Sequence, residues 1–224
     1  MTGVYFFSAT GRSRVVAEWF GDALSAPVRD IVHPVEEDTA VIVFPVYCQN
    51  IPGPVRQLLP NVRAANVALI ATYGRMSHGN VLWEAAKLVP GRVIAGAYVP
   101  IGHTYLEEAV DFDPEPLLPV LEKLRIDSPC NLLPTGKNPL SDAAPLLRSQ
   151  LGVRLVPNEH CTGCGVCDAA CPVGAMEKGK PGPGCIRCLR CAAVCPNHAL
   201  DWSLSPFVRL YLHKKKKNET VLFL

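Results

Sequence analysis

The 224-residue sequence lacks the features that mark membrane-inserted and secreted proteins. No apolar stretch approaches the roughly 18 residues that a membrane-spanning helix needs. The start of the chain has neither the basic region nor the apolar run of a signal peptide. We therefore expect a cytoplasmic protein with no integral membrane segment, in a reducing compartment where free thiols and oxygen-sensitive groups survive.

A strong charge of one sign is also absent, since 22 basic and 20 acidic side chains give a net charge of +2. This balance argues against nucleic acid as a partner. The basic residues are nevertheless concentrated near the end of the chain, where Lys214–Lys217 form an uninterrupted run. Such a tail is typical of a solvated, mobile terminus, and the alternative is docking to an acidic partner or an anionic membrane surface.

Cysteine, in contrast, is abundant, and eight of the ten cysteines lie between Cys161 and Cys195. They form two copies of the pattern Cys-x2-Cys-x2-Cys-x3-Cys-Pro. The first copy contains Cys161, Cys164, Cys167 and Cys171, and the second contains Cys185, Cys188, Cys191 and Cys195. This is the bacterial-type spacing of [4Fe–4S] ligands, so two copies predict two clusters.

The spacing also predicts how the thiolates are shared. Three thiolates on one tight loop can face three irons of a cube, but a fourth that is close in sequence cannot bend round to the last iron. We therefore assign the last cysteine of each copy to the other cluster. The first cluster takes Cys161, Cys164, Cys167 and Cys195, and the second takes Cys185, Cys188, Cys191 and Cys171.

Two other interpretations of the cysteines are weaker. A four-cysteine zinc site needs two Cys-x2-Cys pairs, without a third thiol two residues further on. A disulfide framework needs an oxidising compartment, to which nothing in the sequence points. Cys48 and Cys130 lie outside both motifs, and we interpret them as small apolar side chains rather than ligands.

The cysteine segment is an internal repeat, because Cys-Pro-Val-Gly-Ala-Met at 171–176 matches Cys-Pro-Asn-His-Ala-Leu at 195–200. With its two motifs, the segment 153–204 resembles the bacterial two-cluster ferredoxins. The resemblance implies an α+β domain whose two similar halves face each other across a pseudo-twofold axis.

The first half of the chain alternates short apolar runs with helical patterns. Strands are expected at Val4–Phe7, Thr39–Pro45, Val67–Ala71 and Arg92–Val99, and helices after the first three and within 111–124. This alternation predicts an α/β fold with a doubly wound parallel sheet, whose ligands bind at the carboxyl ends of the strands.

The loop after the first strand predicts an anion site. It consists of Ser8, Ala9, Thr10, Gly11, Arg12 and Ser13. Its amides, its three hydroxyls and the positive end of the following helix can hold a phosphate. The loop matches neither the Walker pattern nor Gly-x-Gly-x-x-Gly, and its lysine-free composition suits a terminal monophosphate. The alternative is an ordinary turn between a strand and a helix.

The loops after the next two strands each offer a tyrosine. The candidate cofactor-binding residues there are Pro45, Val46, Tyr47 and Cys48, and Thr72, Tyr73, Gly74, Arg75 and His78. An aromatic pair beside a monophosphate site suits flavin mononucleotide, FMN. Each tyrosine could instead be a half-buried aromatic at a strand end, and Arg75 a solvated surface charge.

These three loops give residues 1–125 a resemblance to the flavodoxin family. The sequence departs from the family pattern at Arg12, where an uncharged residue is usual, and at Arg75 and His78, where flavodoxins tend to be acidic or neutral. A basic side chain near the ring would stabilise reduced flavin, so we expect Arg75 to act in this way.

The two resemblances together define the predicted organisation. It consists of a flavodoxin-like FMN-binding domain (1–126), a proline-punctuated linker (127–152), a two-cluster ferredoxin domain (153–204) and a basic tail (205–224). This arrangement resembles the flavodoxin–ferredoxin fusion proteins of anaerobic microbes.

That resemblance implies a carrier that passes electrons between two [4Fe–4S] clusters and an FMN, and on to a redox protein or a small-molecule acceptor. One alternative is an FMN-dependent reductase fed by its own clusters, in which His78, His103 or Tyr105 would donate the proton. The other is a ferredoxin with a flavin-free docking domain. The sequence shows no acid and base residues at the spacing of a catalytic pair, so we favour the carrier. The sequence leaves a monomer and an oligomer equally open.

Overall fold

The computed structural model describes residues 1–108, 112–126, 128–143, 145–214 and 216–224. The chain forms two compact units, one of residues 1–141 with 216–224 and the other of residues 142–215. No helix in these described ranges is long and apolar enough to cross a membrane.

The first unit is built on a six-stranded sheet in which five strands are parallel. These five are β1 (Thr2–Phe6), β2 (Val28–Asp30), β3 (Glu36–Pro45), β4 (Arg63–Tyr73) and β5 (Arg92–Pro100). In space they follow the order β5-β4-β3-β1-β2. The prediction of an α/β fold with a parallel sheet is confirmed. Strand β2 was missed, because a strand of three residues carries almost no periodic signal.

Helices cover both faces of this sheet. They are α1 (Arg12–Leu24), α2 (Gly53–Leu58), α3 (Val81–Ala86) and α4 (Leu118–Lys123). Phe20 of α1 and Val120 of α4 pack into the hydrophobic core on one face. Val55 of α2 and Leu82 of α3 pack into the core on the other. Asp111, where the last of these helices was expected to begin, lies outside the described residues.

The middle strands are apolar without interruption because both of their faces are covered. Residues 41–44 of β3 and 67–71 of β4 have no exposed surface. Successive side chains of a strand point to opposite faces, so neighbours in each run enter different cores. This is the pattern expected of buried parallel strands.

The second unit contains short elements around the cysteines. They are α5 (Pro145–Gly152), β6 (Val153–Pro157), α6 (Val166–Ala169), β7 (Met176–Glu177), β8 (Lys180–Pro181), α7 (Arg190–Val194), β9 (Leu200–Leu204) and α8 (Pro206–Leu212). Strand β6 pairs antiparallel with β9, and β7 pairs antiparallel with β8. Helices α6 and α7 each carry the third cysteine of one motif.

The end of the chain returns to the first unit, which differs from the expectation of a mobile terminus. Strand β10 (Val221–Phe223) pairs antiparallel with β5, with Val221 opposite Tyr98. The physical reason is the open edge of β5, whose unpaired backbone groups an apolar segment can satisfy.

The segment predicted as a linker also packs largely on the first unit. The Cys130 N–H donates to the Val93 carbonyl at 3.0 Å, and Leu132 enters the hydrophobic core. The Lys137 ammonium lies 2.7 Å from a Glu84 carboxylate oxygen. Asp127, where the linker was expected to begin, lies outside the described residues.

Candidate cluster and cofactor sites

The two cysteine motifs share an unusual backbone conformation. Positive φ angles occur at Gly163, Gly165 and Gly174 and again, 24 positions later, at Arg187, Leu189 and His198. Residues in this conformation turn successive N–H groups toward one concave side, an arrangement that binds anions. Side chains rarely adopt positive φ, so the second motif holds the same loop at a higher conformational cost than the glycines of the first.

The thiols predicted to bind the first cluster line one cavity. Its walls include Cys161, Cys164, Cys167 and Cys195. Gly179 also lines this cavity, and a Cβ there would lie 3.0 Å from the Cys161 sulfur, so a side chain would crowd this predicted ligand atom. Across the described residues, no three His, Cys, Asp or Glu side chains converge to hold a single metal ion. The thiols surround a shared space instead.

The thiols predicted to bind the second cluster also lie within electrostatic reach of one another. Burial is the main cause that raises the pKa of Cys188, and the charges of Cys185 and Cys171 raise it further. Burial is the main cause that raises the pKa of Cys191 to about 12, and the charges of Cys188, Cys185 and Cys167 of the first motif raise it further. Ligand thiols must lose their protons to bind iron, so cluster assembly at this site releases protons.

The last cysteine of each motif accepts an equivalent hydrogen bond. The Ala175 N–H donates to the Cys171 sulfur at 3.2 Å, and the Ala199 N–H donates to the Cys195 sulfur at 3.3 Å. Hydrogen bonds to ligand sulfurs stabilise the added negative charge of a reduced cluster and so raise its potential.

The two motifs differ in charge directly after their third cysteine. The Asp168 carboxylate lies 3.3 Å from the Cys167 sulfur and accepts a hydrogen bond from the Lys178 N–H at 2.9 Å. That backbone bond is the main cause that lowers the Asp168 pKa, so the carboxylate stays ionised. The equivalent residue of the second motif is Ala192, which carries no charge.

We expect the Asp168→Asn variant to raise the potential of the first cluster, because a nearby negative charge disfavours the added electron. The reciprocal variant, Ala192→Asp, should lower the potential of the second cluster. Redox titration followed by electron paramagnetic resonance measures both. If neither variant changed the potential of its cluster, a role for this charge would be contradicted.

The predicted cofactor loops meet at the carboxyl ends of the parallel strands. The Ser13 and Thr72 hydroxyl oxygens are 2.8 Å apart and join the first loop to the end of β4. The Thr10 and Thr104 hydroxyl oxygens are 3.2 Å apart and join the same loop to the segment after β5. The structure therefore brings together loops that lie far apart in the sequence.

Arg12 has unused hydrogen-bonding capacity at the start of α1. Its Nη2 donates to the Glu108 carbonyl oxygen at 2.6 Å. Its Nε and Nη1 are buried and have no acceptor among the residues that the structure describes. Burial lowers the Arg12 pKa. The preceding residue, Gly11, has a φ of 83°. A guanidinium with two spare donors beside a helix N-terminus suits an anion.

The structure differs from the ring-flanking role expected of Tyr73, and it also buries His78, a candidate cofactor-binding residue. Tyr73 is 3% exposed, and its hydroxyl donates to the Glu219 carbonyl oxygen at 2.6 Å. The His78 ring stacks on Tyr98, with ring centroids 3.8 Å apart. Tyr73 points into the core because the alternation of β4 places it on a buried face, and His78, in the loop that follows, is 9% exposed. Neither offers a free face to a planar ligand.

The other predicted ring-binding residues are more accessible. Tyr47 is half-buried and lies edge-on to Phe7, with ring centroids 6.4 Å apart. Cys48 is exposed. Arg75 has a φ of 59°, and its carbonyl oxygen accepts a hydrogen bond from the Lys217 N–H at 2.6 Å.

His103 occupies the space next to the third loop. A Cβ on Gly74 would lie 2.4 Å from the ring of His103, so this close approach requires glycine. The His103 N–H donates to a Glu108 carboxylate oxygen at 2.8 Å. The other oxygen of that carboxylate pairs with Lys216. Sequence reasoning missed Glu108 and Lys216, because no local pattern links positions so far apart.

We expect His103 to make the unfolding free energy depend on pH. Burial, then the charges of Arg12 and Lys216, lower its pKa from 6.5 to about 4. Between about pH 4 and pH 6.5, His103 therefore binds a proton in the unfolded chain but not in the folded chain. The contribution of His103 to the unfolding free energy is fully present above pH 6.5. It is lost as the pH falls toward 4, by up to about 3 kcal/mol.

Chemical denaturation across this pH range, compared with the His103→Gln variant, isolates the effect from other titrating groups. The glutamine oxygen can replace Nδ1 as acceptor of the Tyr105 N–H. The variant should lose less stability on acidification. Parallel pH profiles for the two proteins would show that His103 does not contribute.

Comparison with known proteins supports the iron–sulfur assignment. The Fer4 family model, described as a 4Fe-4S binding domain, matches residues 156–177. A comparison with curated proteins found no match. The matched segment and the cysteines at 161–195 point to iron–sulfur electron transfer, with at least one [4Fe–4S] cluster.

Proposed function

We propose that the chain is an electron carrier that links two [4Fe–4S] clusters to an FMN and passes electrons on to a redox partner. The observation that supports this proposal most directly is the grouping of Cys161, Cys164 and Cys167 with Cys195 around one cavity, which brings the fourth thiol of one motif to three thiols of the other. The family match ends at residue 177, so the second cluster rests on this grouping and on the repeated ligand spacing.

The fold of the first unit supports an FMN site. Its parallel strands follow the order 2-1-3-4-5, the order of flavodoxin-like sheets, in which the ligand lies where the strand order reverses between β1 and β3. The loop after β1 begins at this point. FMN, when bound, would supply both one-electron and two-electron chemistry.

The residues present fit the phosphate end of such a cofactor. The first-turn N–H groups of α1 and the spare donors of Arg12 would hold the phosphate. Ser13 and Thr10 would fix the loop through their contacts with Thr72 and Thr104. The partly exposed Tyr47 is then the aromatic residue that would contact the ring.

The structure offers little support for a histidine as the proton donor of the reductase alternative. With a pKa of about 4, His103 is neutral at neutral pH and is a poor proton donor. His78 is buried in the core and its pKa is lowered, chiefly by burial. The alternative of a flavin-free docking domain does not explain why Arg12 has buried hydrogen-bond donors that lack an acceptor among the described residues.

We also propose that the protein works in the cytoplasm and that its partner is a redox protein or a small-molecule acceptor. The basis for the location is the cysteine chemistry, since thiolate ligands need a reducing compartment during cluster assembly.

Anaerobic reconstitution with iron, sulfide and FMN, followed by removal of unbound material, tests the composition. We expect about eight irons and about one FMN per chain. About four irons would contradict the second cluster. A full iron content without FMN would favour the flavin-free alternative.

A further inference from the structure

We propose that Lys216 is a positioning residue that keeps Arg12 available for the phosphate of the cofactor. This role rests on the proposed FMN function. Lys216 does so by holding the carboxylate of Glu108, which would otherwise compete with the phosphate for the same guanidinium.

Glu108 connects three parts of the carboxyl edge of the sheet. Its carbonyl oxygen accepts a hydrogen bond from Arg12 Nη2 at 2.6 Å. One carboxylate oxygen accepts the His103 N–H at 2.8 Å, and the other pairs with the Lys216 ammonium. The two carboxylate oxygens are therefore held by His103 and Lys216, while Arg12 contacts the Glu108 main chain.

The C-terminal segment holds Lys216 in place from the other side. The Lys217 N–H donates to the Arg75 carbonyl oxygen, and the Glu219 carbonyl oxygen accepts the Tyr73 hydroxyl. Strand β10 then pairs with β5. Because these are main-chain contacts, substitution of the Lys216 side chain leaves the anchoring of the segment intact.

Charge and burial explain why the pairing matters. The Lys216 and Glu108 side chains are 37% and 22% exposed, so solvent screens their attraction only in part. Without Lys216, the Glu108 carboxylate loses its cationic partner. Arg12, whose guanidinium already contacts the Glu108 carbonyl oxygen, then offers it two donors that are unpaired among the described residues. An internal ion pair there would use the donors that a phosphate needs.

Binding of FMN and riboflavin to the reconstituted full chain, followed by quenching of flavin fluorescence, tests this role. We expect the Lys216→Gln variant to weaken FMN binding by about threefold to tenfold and to leave riboflavin, which lacks the phosphate, unchanged. Lys217→Gln removes the same charge one residue further on and should have little effect. Adding Glu108→Gln to Lys216→Gln should restore FMN binding, because the competing charge is gone.

The outcomes separate this role from the proposed function. If the unaltered chain binds neither flavin, both proposals are overturned. If it binds FMN and prefers it to riboflavin, but Lys216→Gln behaves like the unaltered chain, only the role of Lys216 is overturned. An equal loss in Lys216→Gln and Lys217→Gln, or no rescue by Glu108→Gln, also overturns it, since either result indicates a general charge effect.

Discussion

The Cys195→Ala variant should lose the first cluster and keep the second, although Cys195 belongs to the second motif. The reason is the cavity that Cys195 shares with the three leading thiols of the first motif. Iron should fall from about eight to about four per chain, because a cubane that lacks one of its thiolates is poorly held. Iron and sulfide analysis of the anaerobically purified variant measures the loss.

Double variants show which cluster was lost. Adding Cys161→Ala to Cys195→Ala should remove no further iron, since both residues serve the same cluster. Adding Cys185→Ala should remove nearly all of it. Cys130→Ala is a matched control outside both motifs and should retain the full content. If the Cys195→Ala/Cys185→Ala protein kept about four irons, the crossed assignment of the ligands would be wrong.

The Arg12→Met variant should bind FMN about tenfold to a hundredfold more weakly, yet be more stable without it. The buried guanidinium supplies charge-assisted hydrogen bonds to a phosphate, which are worth about 1.5–3 kcal/mol. In the absence of an anion, its Nε and Nη1 remain buried without acceptors in the described part of the chain. Methionine keeps the apolar stem and removes that cost, so the unfolding free energy should rise by about 1 kcal/mol.

Fluorescence titration with FMN and chemical denaturation without it measure the two effects. Arg14→Met is a matched control, because Arg14 is exposed and pairs with Glu18 one helical turn away. It should change neither quantity by much. A variant at Arg12 that loses stability and binds FMN normally would show that the guanidinium has a structural role only.

Features that depend on neighbouring residues were predictable from the sequence, whereas features that depend on contacts between distant residues were not. The middle strands β3 and β4 were predictable because burial on both faces requires a continuous run of apolar residues. The 4Fe-4S binding segment matched at residues 156–177 was predictable for a similar reason, since the shape of a cubane dictates a local cysteine spacing. Strand β10 was not, because its partner β5 lies more than a hundred residues earlier.

The predicted cofactor loops illustrate the same limit at the level of single side chains. The loops themselves were predictable from strand–loop–helix order, and they do meet at one edge of the sheet. The direction of Tyr73 was not, since a shift of one residue at a strand end exchanges the core face and the open face. The Glu108 contacts were also hidden, because they join residues 12, 103 and 216 through side chains.

An anaerobic titration with dithionite, followed by absorbance, tests most directly whether clusters and flavin form one electron-transfer system. The sample is the full chain after reconstitution with iron, sulfide and FMN. We expect about four electrons per chain, one for each cluster and two for FMN, with the cluster and flavin bands bleaching in the same titration. Bleaching that ends after about two electrons, with no flavin retained even after FMN is added, would contradict the account and leave an iron–sulfur carrier without a flavin.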